Sequence, residues 1–352
     1  MTLRWKQRPP NSNWGEFGPD DQRGRMNLVT REKVLQGVAE VKEGVTFCLS
    51  LPLDYPGGSA LNPRRQPPRL AATLRDSGKS KGRQNFCFPL GEDNPDLTDV
   101  VCDDLVLLTL QYSTQWDSFA HIGSRFDADG DGQRESVFYN GFRAGEHVKP
   151  ASENNSSEPW ARYEGTNAQA LGIQNLAEHG AQGRGVLIDL HHHFGRERHA
   201  VTCDELTQIL DKDKVKIEKG DMVCLYTGFA DVILELRKNP DAKLLHGTCA
   251  GLDGRDPRLL EWISDSGLAC LIADNYAVEL IPTSLTTPKP HALMPLHEHC
   301  IFKNGIHLGE LWYLTALARW LRGHGRNRFL LTAPPLRLPG AVGSPATPIA
   351  TV

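Results

Sequence analysis

Four side chains able to bind a cation or move a proton stand close together in Q-Y-S-T-Q-W-D-S-F-A-H, residues 111–121. Gln111, Gln115, Asp117 and His121 are separated by four, two and four positions, so every gap is even. On an extended strand even separations share one face, whereas on a helix the later pair would turn away from the first. Extended, the segment offers two amide oxygens, a carboxylate and an imidazole to one side. That set suits a divalent metal and a base, and it equally suits the polar face of a half-buried strand. Trp116 and Phe119 flank these residues, and Tyr226 and Phe229 end an apolar run, so a flat substrate of modest size is expected between them.

Other motifs carry less chemistry. His191, His192 and His193 follow LIDL, but consecutive side chains cannot all enter one site, and a strand end with one or two solvated imidazoles is expected. D-A-D-G-D-G (127–132) has the opening of a calcium loop, yet Phe138 occupies the twelfth position where a bidentate Glu is needed, which leaves a polar turn. No G-x-S-x-G elbow and no glycine-rich phosphate loop is present.

The elements that must position these residues alternate. RGVLIDLHHH (184–193), GDMVCLYTGF (220–229), LACLIADNYAVE (268–279) and FLLTAPPLRL (329–338) read as buried strands, and DLVLLTLQYS (104–113) as a β-type run. Helices are expected over 30–44, 202–214, 256–267 and 310–323, the first with a Thr cap and a closing Gly. The result is an α/β chain with a mixed β-sheet and flanking helices, built as a single domain because no linker interrupts the alternation. Residues 1–45 form an N-terminal arm and short helix, and 46–352 the main domain. From 54 to 98 the text is rich in Pro, Arg and Gly, which predicts a long loop region over a site. ASENNSSE (151–158) is the longest low-complexity tract.

The chain is 39% hydrophobic and 23% charged, with a net charge of -4 and scattered Lys and Arg. Nothing in it calls for nucleic acid. It has no apolar run of membrane-spanning length and its first residues lack a signal-peptide core, so a cytoplasmic protein with no membrane partner is expected. Eight cysteines lie far apart, several inside apolar runs such as MVCLY, and buried reduced thiols are expected. Trp5, Trp14 and Phe17 have too little local sequence to bury them, which predicts a homodimer or larger assembly.

S-T-Q-W-D-S (113–118) resembles one branch of the cyclase / kynurenine formamidase-like family, in which the stretch reads G-T-Q-W-D-G; Ser113 replaces the first Gly. The likeness continues in order through FYNG (138–141), RGVLIDL (184–190), GDMVCLYTGF (220–229), AGL (250–252), EWISDSGLACLIADNYAVE (261–279), LHEHCIFKNGIHLGELWYLTALA (296–318) and PLRLPGAVGSPATPIA (335–350). The resemblance implies a swivelling β/β/α fold and a small-molecule hydrolase that uses metal-activated water. It puts Gln111 and Gln115 where the family's metal-binding histidines stand, Asp117 on a metal ligand and His121 on the base. It matches Glu310 and His297 to a second metal motif, with Glu298, His299 and His291 competing for the histidine position. Glu310 also reads as an acidic residue in the first turn of helix 310–322.

The glutamines depart from the family pattern. A neutral amide oxygen is a harder and weaker donor than imidazole, which moves the expected ion, Zn2+ or Mn2+, toward manganese or magnesium. The expected substrate is a small cyclic amide, imide or lactone, or an N-formyl amide. A metal-dependent lyase or dehydratase and a non-catalytic ligand-binding descendant are the alternatives.

Overall fold

The computed structural model describes residues 3–150, 166–281 and 291–352; the ASENNSSE tract lies outside them. One nine-stranded sheet organises the chain. Its strands, in chain order, are β1 (Thr46–Cys48), β2 (Gln115–Asp117), β3 (Gln182–Asp189), β4 (Met222–Tyr226), β5 (Cys270–Ala273), β6 (His307–Glu310), β7 (Arg328–Thr332), β8 (Gly343–Pro345) and β9 (Ile349–Thr351). The spatial order is β1-β9-β7-β3-β4-β5-β6-β2-β8. Strands β3 to β6 run parallel, and the strands beyond them on both sides are antiparallel.

The middle of the parallel centre, Met222–Tyr226 and Cys270–Ala273, is apolar, as burial on both faces requires. Met222, Cys224 and Tyr226 pack on one side with Leu317 and Leu321 of the helix Thr315–Gly323. Val223 and Leu225 pack on the other with Leu206 and Ile209 of Cys203–Lys212 and Leu259 and Ile263 of Pro257–Asp265. The last two helices start where the sequence provides a cap. Thr202 and Glu205 form a reciprocal capping box, and Asp256 caps a helix whose first residue is Pro257.

The N-terminal arm folds back on its own chain. Trp14 is fully buried, donates from Nε1 to the carbonyl of Phe302 at 2.8 Å and meets Trp5, Phe126 and Phe302 edge-on. Asn140 fastens the arm by donating to the carbonyls of Gly18, Pro19 and Asp21 and accepting from Gly15 N. The tryptophans expected to seek a partner are thus covered within the protomer, and they give no reason for a second copy. The helix Arg31–Val38, capped by Thr30, is tied to the sheet by Lys33, which meets buried Asp221 at 3.1 Å beside Arg184.

Several local expectations need correction. The run 104–113 is a strand only over Asp104–Leu107, where it pairs with Arg69–Ala72 outside the main sheet, and it then turns at 109–112. The helix expected from 310 starts at Thr315, because His307–Glu310 pairs with β2 and the chain bends at Leu311 with a φ of 57°. The histidine run is a helical turn, Leu190–Phe194, capped by Asp189, not a strand end. His193 there bonds Asp213 at 2.7 Å and His191 meets the Gly195 carbonyl at 2.9 Å. D-A-D-G-D-G is a turn in which Asp127 accepts from the backbone of Gly130, Asp131 and Gly132. Cys48, Cys87 and Cys102 are exposed, unlike the buried Cys224, Cys249, Cys270 and Cys300. Among the described residues no helix is long and apolar enough to cross a membrane.

Candidate metal centre

Strand β2 enters the sheet between β6 and β8, with Gln115 opposite Glu310 and Asp117 opposite Gly343. Because side chains alternate, Gln115 and Asp117 face one side and Trp116 the other. Trp116 packs there on Trp312 and donates to the Ala333 carbonyl at 2.7 Å. Thr114 locks the start of the strand by donating to the Leu311 carbonyl and accepting from Leu51 N.

His297 arrives from the segment that packs over the sheet face shared by Asp117 and Glu310. It closes the short turn Pro295–His297, just before a π-helical stretch, Glu298–Lys303, a distortion often found at functional sites. Asp117, His297 and Glu310 are all buried, and each offers a ligand atom within 4.8 Å of the others. His297 Nε2 lies 3.1 Å from Glu310 Oε1, and Gln115 Nε2 donates to Glu310 Oε2 at 2.9 Å. Of the competing residues, Glu298 accepts from Ser124, His299 meets Ser264 at 2.8 Å, and His291 lines a different cavity.

Glu279 was not picked out in the sequence as part of this site. Its Oε1 accepts from both the backbone N and Nδ1 of His297, at 2.9 and 2.8 Å, and its Oε2 accepts from Leu296 N. With the proton held at Nδ1, Nε2 is presented to the carboxylates, the arrangement of a carboxylate–histidine–metal triad. Burial opposes charge on His297, but the bonds to Glu279 and Glu310 prevail and raise its pKa to about 10. Burial and the nearby Asp117 raise that of Glu310, against the pull of His297 and Arg65.

The donors fit a divalent cation. Both carboxylate oxygens of Asp117 and Oε1 of Gln115 are buried with no hydrogen-bond partner, a costly state that an ion among them would relieve. Two carboxylates, one imidazole and one amide form an oxygen-rich set that suits manganese or magnesium as well as zinc.

The even spacing of 111–121 does not place its residues by extension. Four extended residues span roughly 13 Å, so a shared face is not a shared point. Instead the chain turns after Asp117, with His121 N bonded to the Ser118 carbonyl, and brings His121 Nε2 to 3.8 Å from Asp117 Oδ1. Burial lowers the pKa of His121; Asp117 opposes this, and the charges of His297, Arg65 and Arg64 add to it. Gln111 sits in the preceding turn. Its carbonyl accepts from Arg65 and its carboxamide lies against Gly343, where a Cβ would come within 2.5 Å of Nε2.

A cavity of about 420 Å³ opens onto His121, His297 and Glu310. One wall comes from the Pro- and Arg-rich loop, with Pro56, Leu61, Arg64 and Arg65, and others from Tyr112, Tyr276 and Met294. The aromatic residues expected to hold a substrate are elsewhere. Phe119 stacks on His307 in the core, Tyr226 is buried near Asp231, and Phe229 packs on Tyr276 from behind. With Trp116 on the opposite sheet face, none of the four lines this cavity; Tyr112 and Tyr276 do.

Fold and site together define an α/β protein with a buried carboxylate–imidazole cluster able to hold a cation beside a small cavity. The chain belongs to the cyclase family: a family model described as "Putative cyclase" matches residues 49–280. A solved structure described as a novel cyclase is similar over 98% of this chain and 100% of its own, with 28% identity and a TM-score of 0.73. Isatin hydrolase A from Ralstonia solanacearum shares the fold at 15% identity and a TM-score of 0.53, over 91% of this chain and 97% of its own. So does an isatin hydrolase bound to the product analogue thioisatinate, at 12% identity and 0.51, over 92% and 99%. No curated protein matches.

Proposed function

We propose that this protein is a metal-dependent hydrolase that opens a small cyclic amide, imide or lactone, or cleaves an N-formyl amide. The observation that carries the reading is the buried Asp117–His297–Glu310 cluster with the unpartnered Asp117 oxygens, whose His297 and Glu310 line a cavity together with His121. Asp117, His297 and Glu310 would hold the ion, with Gln115 contributing its amide oxygen. A divalent cation bound there supplies polarisation of a carbonyl and acidification of water.

The chain's own residues supply the rest. His121, with its pKa depressed, is neutral near pH 7 and able to take a proton from the attacking water and return it to the departing nitrogen or oxygen. Glu279 fixes the tautomer and ring angle of His297. Residues of the loop carrying Pro56 and Leu61 cover the cavity and restrict water, while Tyr112 and Tyr276 offer flat surfaces. The isatin hydrolases among the fold neighbours support a cyclic amide, since isatin is a flat lactam.

A screen of lactones, cyclic imides and formamides with added Mn2+ or Zn2+ tests the reading. Ring opening should place labelled solvent oxygen in the new carboxylate. Metal-dependent turnover without that label would indicate a lyase, and protein that takes up no metal would indicate a non-catalytic descendant.

A further inference from the structure

The loop over the cavity contains N-P-R-R, residues 62–65. Asn followed by Pro is a turn signature, since Pro fixes the second position and Asn accepts from the backbone ahead of it. The turn forms that way: Arg65 N bonds the Asn62 carbonyl at 3.0 Å, and Arg64 N bonds Asn62 Oδ1 at 3.1 Å. Both arginines therefore leave a fixed backbone, and both line the cavity that holds His121, His297 and Glu310.

Their situations differ. Arg65 is committed, with Nη1 on the Gln111 carbonyl at 2.7 Å and 4.0 Å from Glu310 Oε2. The guanidinium of Arg64 has no hydrogen bond or ion pair with any described residue, although it stands at the same cavity wall. The rest of the rim does not neutralise it. Asn62, Ser59, Tyr112, Tyr276 and His246 are uncharged or basic, and the one carboxylate among the described lining residues, Glu310, lies on the floor and is engaged by His297 and Gln115.

We infer that Arg64 is a substrate-recognition residue for a carboxylate, and that the natural substrate is a cyclic amide or imide bearing a carboxylate group away from the scissile carbonyl. A guanidinium presents paired N–H donors in a plane that matches a carboxylate, and a small cavity fixes the span between the two ends of the ligand. The carbonyl faces the acidic floor, where a cation would draw it, and the carboxylate faces Arg64. The inference rests on the hydrolase reading for the placement of the carbonyl.

The test uses the metal-loaded full chain, phthalimide and its ring-carboxylated derivative as substrates, and titration with phthalate and with neutral phthalamide as binding probes. Arg64→Gln is an exposed change that leaves the turn's backbone bonds in place. Wild type should prefer the carboxylated imide in kcat/KM, and the variant should lose about tenfold on it, mainly through KM, with a much smaller change on phthalimide. Phthalate should bind wild type more tightly than the variant by a similar factor, and phthalamide should not distinguish them. Equal handling of both imides by both proteins, with phthalate binding unchanged, would overturn the inference while leaving the hydrolase reading intact. Arg64-dependent phthalate binding with no hydrolysis of either imide would uphold the carboxylate site and count against the hydrolase reading.

Discussion

Glu279 provides the sharpest separation between building the fold and building the site. Glu279→Ala removes the acceptor of three hydrogen bonds, leaving His297 N, His297 Nδ1 and Leu296 N buried and unpaired. Each orphaned donor costs on the order of 1–3 kcal/mol, and breaking a buried charged pair about 3–5 kcal/mol in all, enough to lower Tm by many degrees. Glu279→Gln keeps an oxygen for Nδ1–H and nearly the same volume, but removes the negative charge that makes the ring a better donor. Metal affinity should then fall about 10–100-fold, or roughly 1.4–2.8 kcal/mol, with Tm of the metal-free protein lowered far less than by Ala. Competition for Mn2+ against a chromophoric chelator, alongside thermal melts, measures both. A Gln variant that binds metal as wild type does would refute the reasoning and leave Glu279 a purely structural anchor.

Three further outcomes are expected. Asp117→Asn should lose both bound metal and turnover, whereas His121→Ala should keep its metal and lose about 10²–10⁴ in rate; metal analysis and kinetics that give the reverse pattern would exchange their roles. Because the pKa of His121 is depressed, its proton leaves at lower pH than that of a free imidazole, so kcat/KM should rise with pH only below about 6.5 and level off above it; an acid limb centred above 6.5 would count against His121 as the base. Cys87 and Cys102 hold their Sγ atoms 3.6 Å apart at the surface, one step beyond the Phe88–Val101 strand pair, so oxidised glutathione should couple them and release two equivalents of reduced glutathione. Thiol counting should show a loss of two that Cys102→Ser prevents.

The strands at the centre of the sheet were legible because parallel strands buried on both faces must be continuously apolar, and MVCLY or LACLIA admits little else. The cap at Thr30 was legible from its place ahead of a helical run that closes in Gly. The cation cluster was legible through the family resemblance, which matched Asp117, His297 and Glu310 to its motifs. Its geometry was not, since the turn after Asp117 depends on backbone bonds to Val342 and Leu171 that no local spacing encodes. The cavity aromatics were misplaced because strand alternation sends Trp116 to the far face, and Tyr226 and Phe229 close a core. Glu279 left only a faint signal, an acidic residue ending the apolar run ADNYAVE. The docking of the arm was not legible for a plainer reason: Trp14 finds cover on Phe126 and Phe302, residues distant in sequence.

The position of β2 between β6 and β8 bears on how the protein comes into being. Asp117 is synthesised early, but His297 and Glu310, which cluster with it, lie far downstream, and so does Gly343, which closes the other edge of β2. Contacts of such long range form late, because loop closure must precede any gain from them. A nascent chain not yet extended past Glu310 would hold Asp117 without the other groups of the cluster. A cation that needs Asp117, His297 and Glu310 together would find its donors assembled only once β2 is seated against β6.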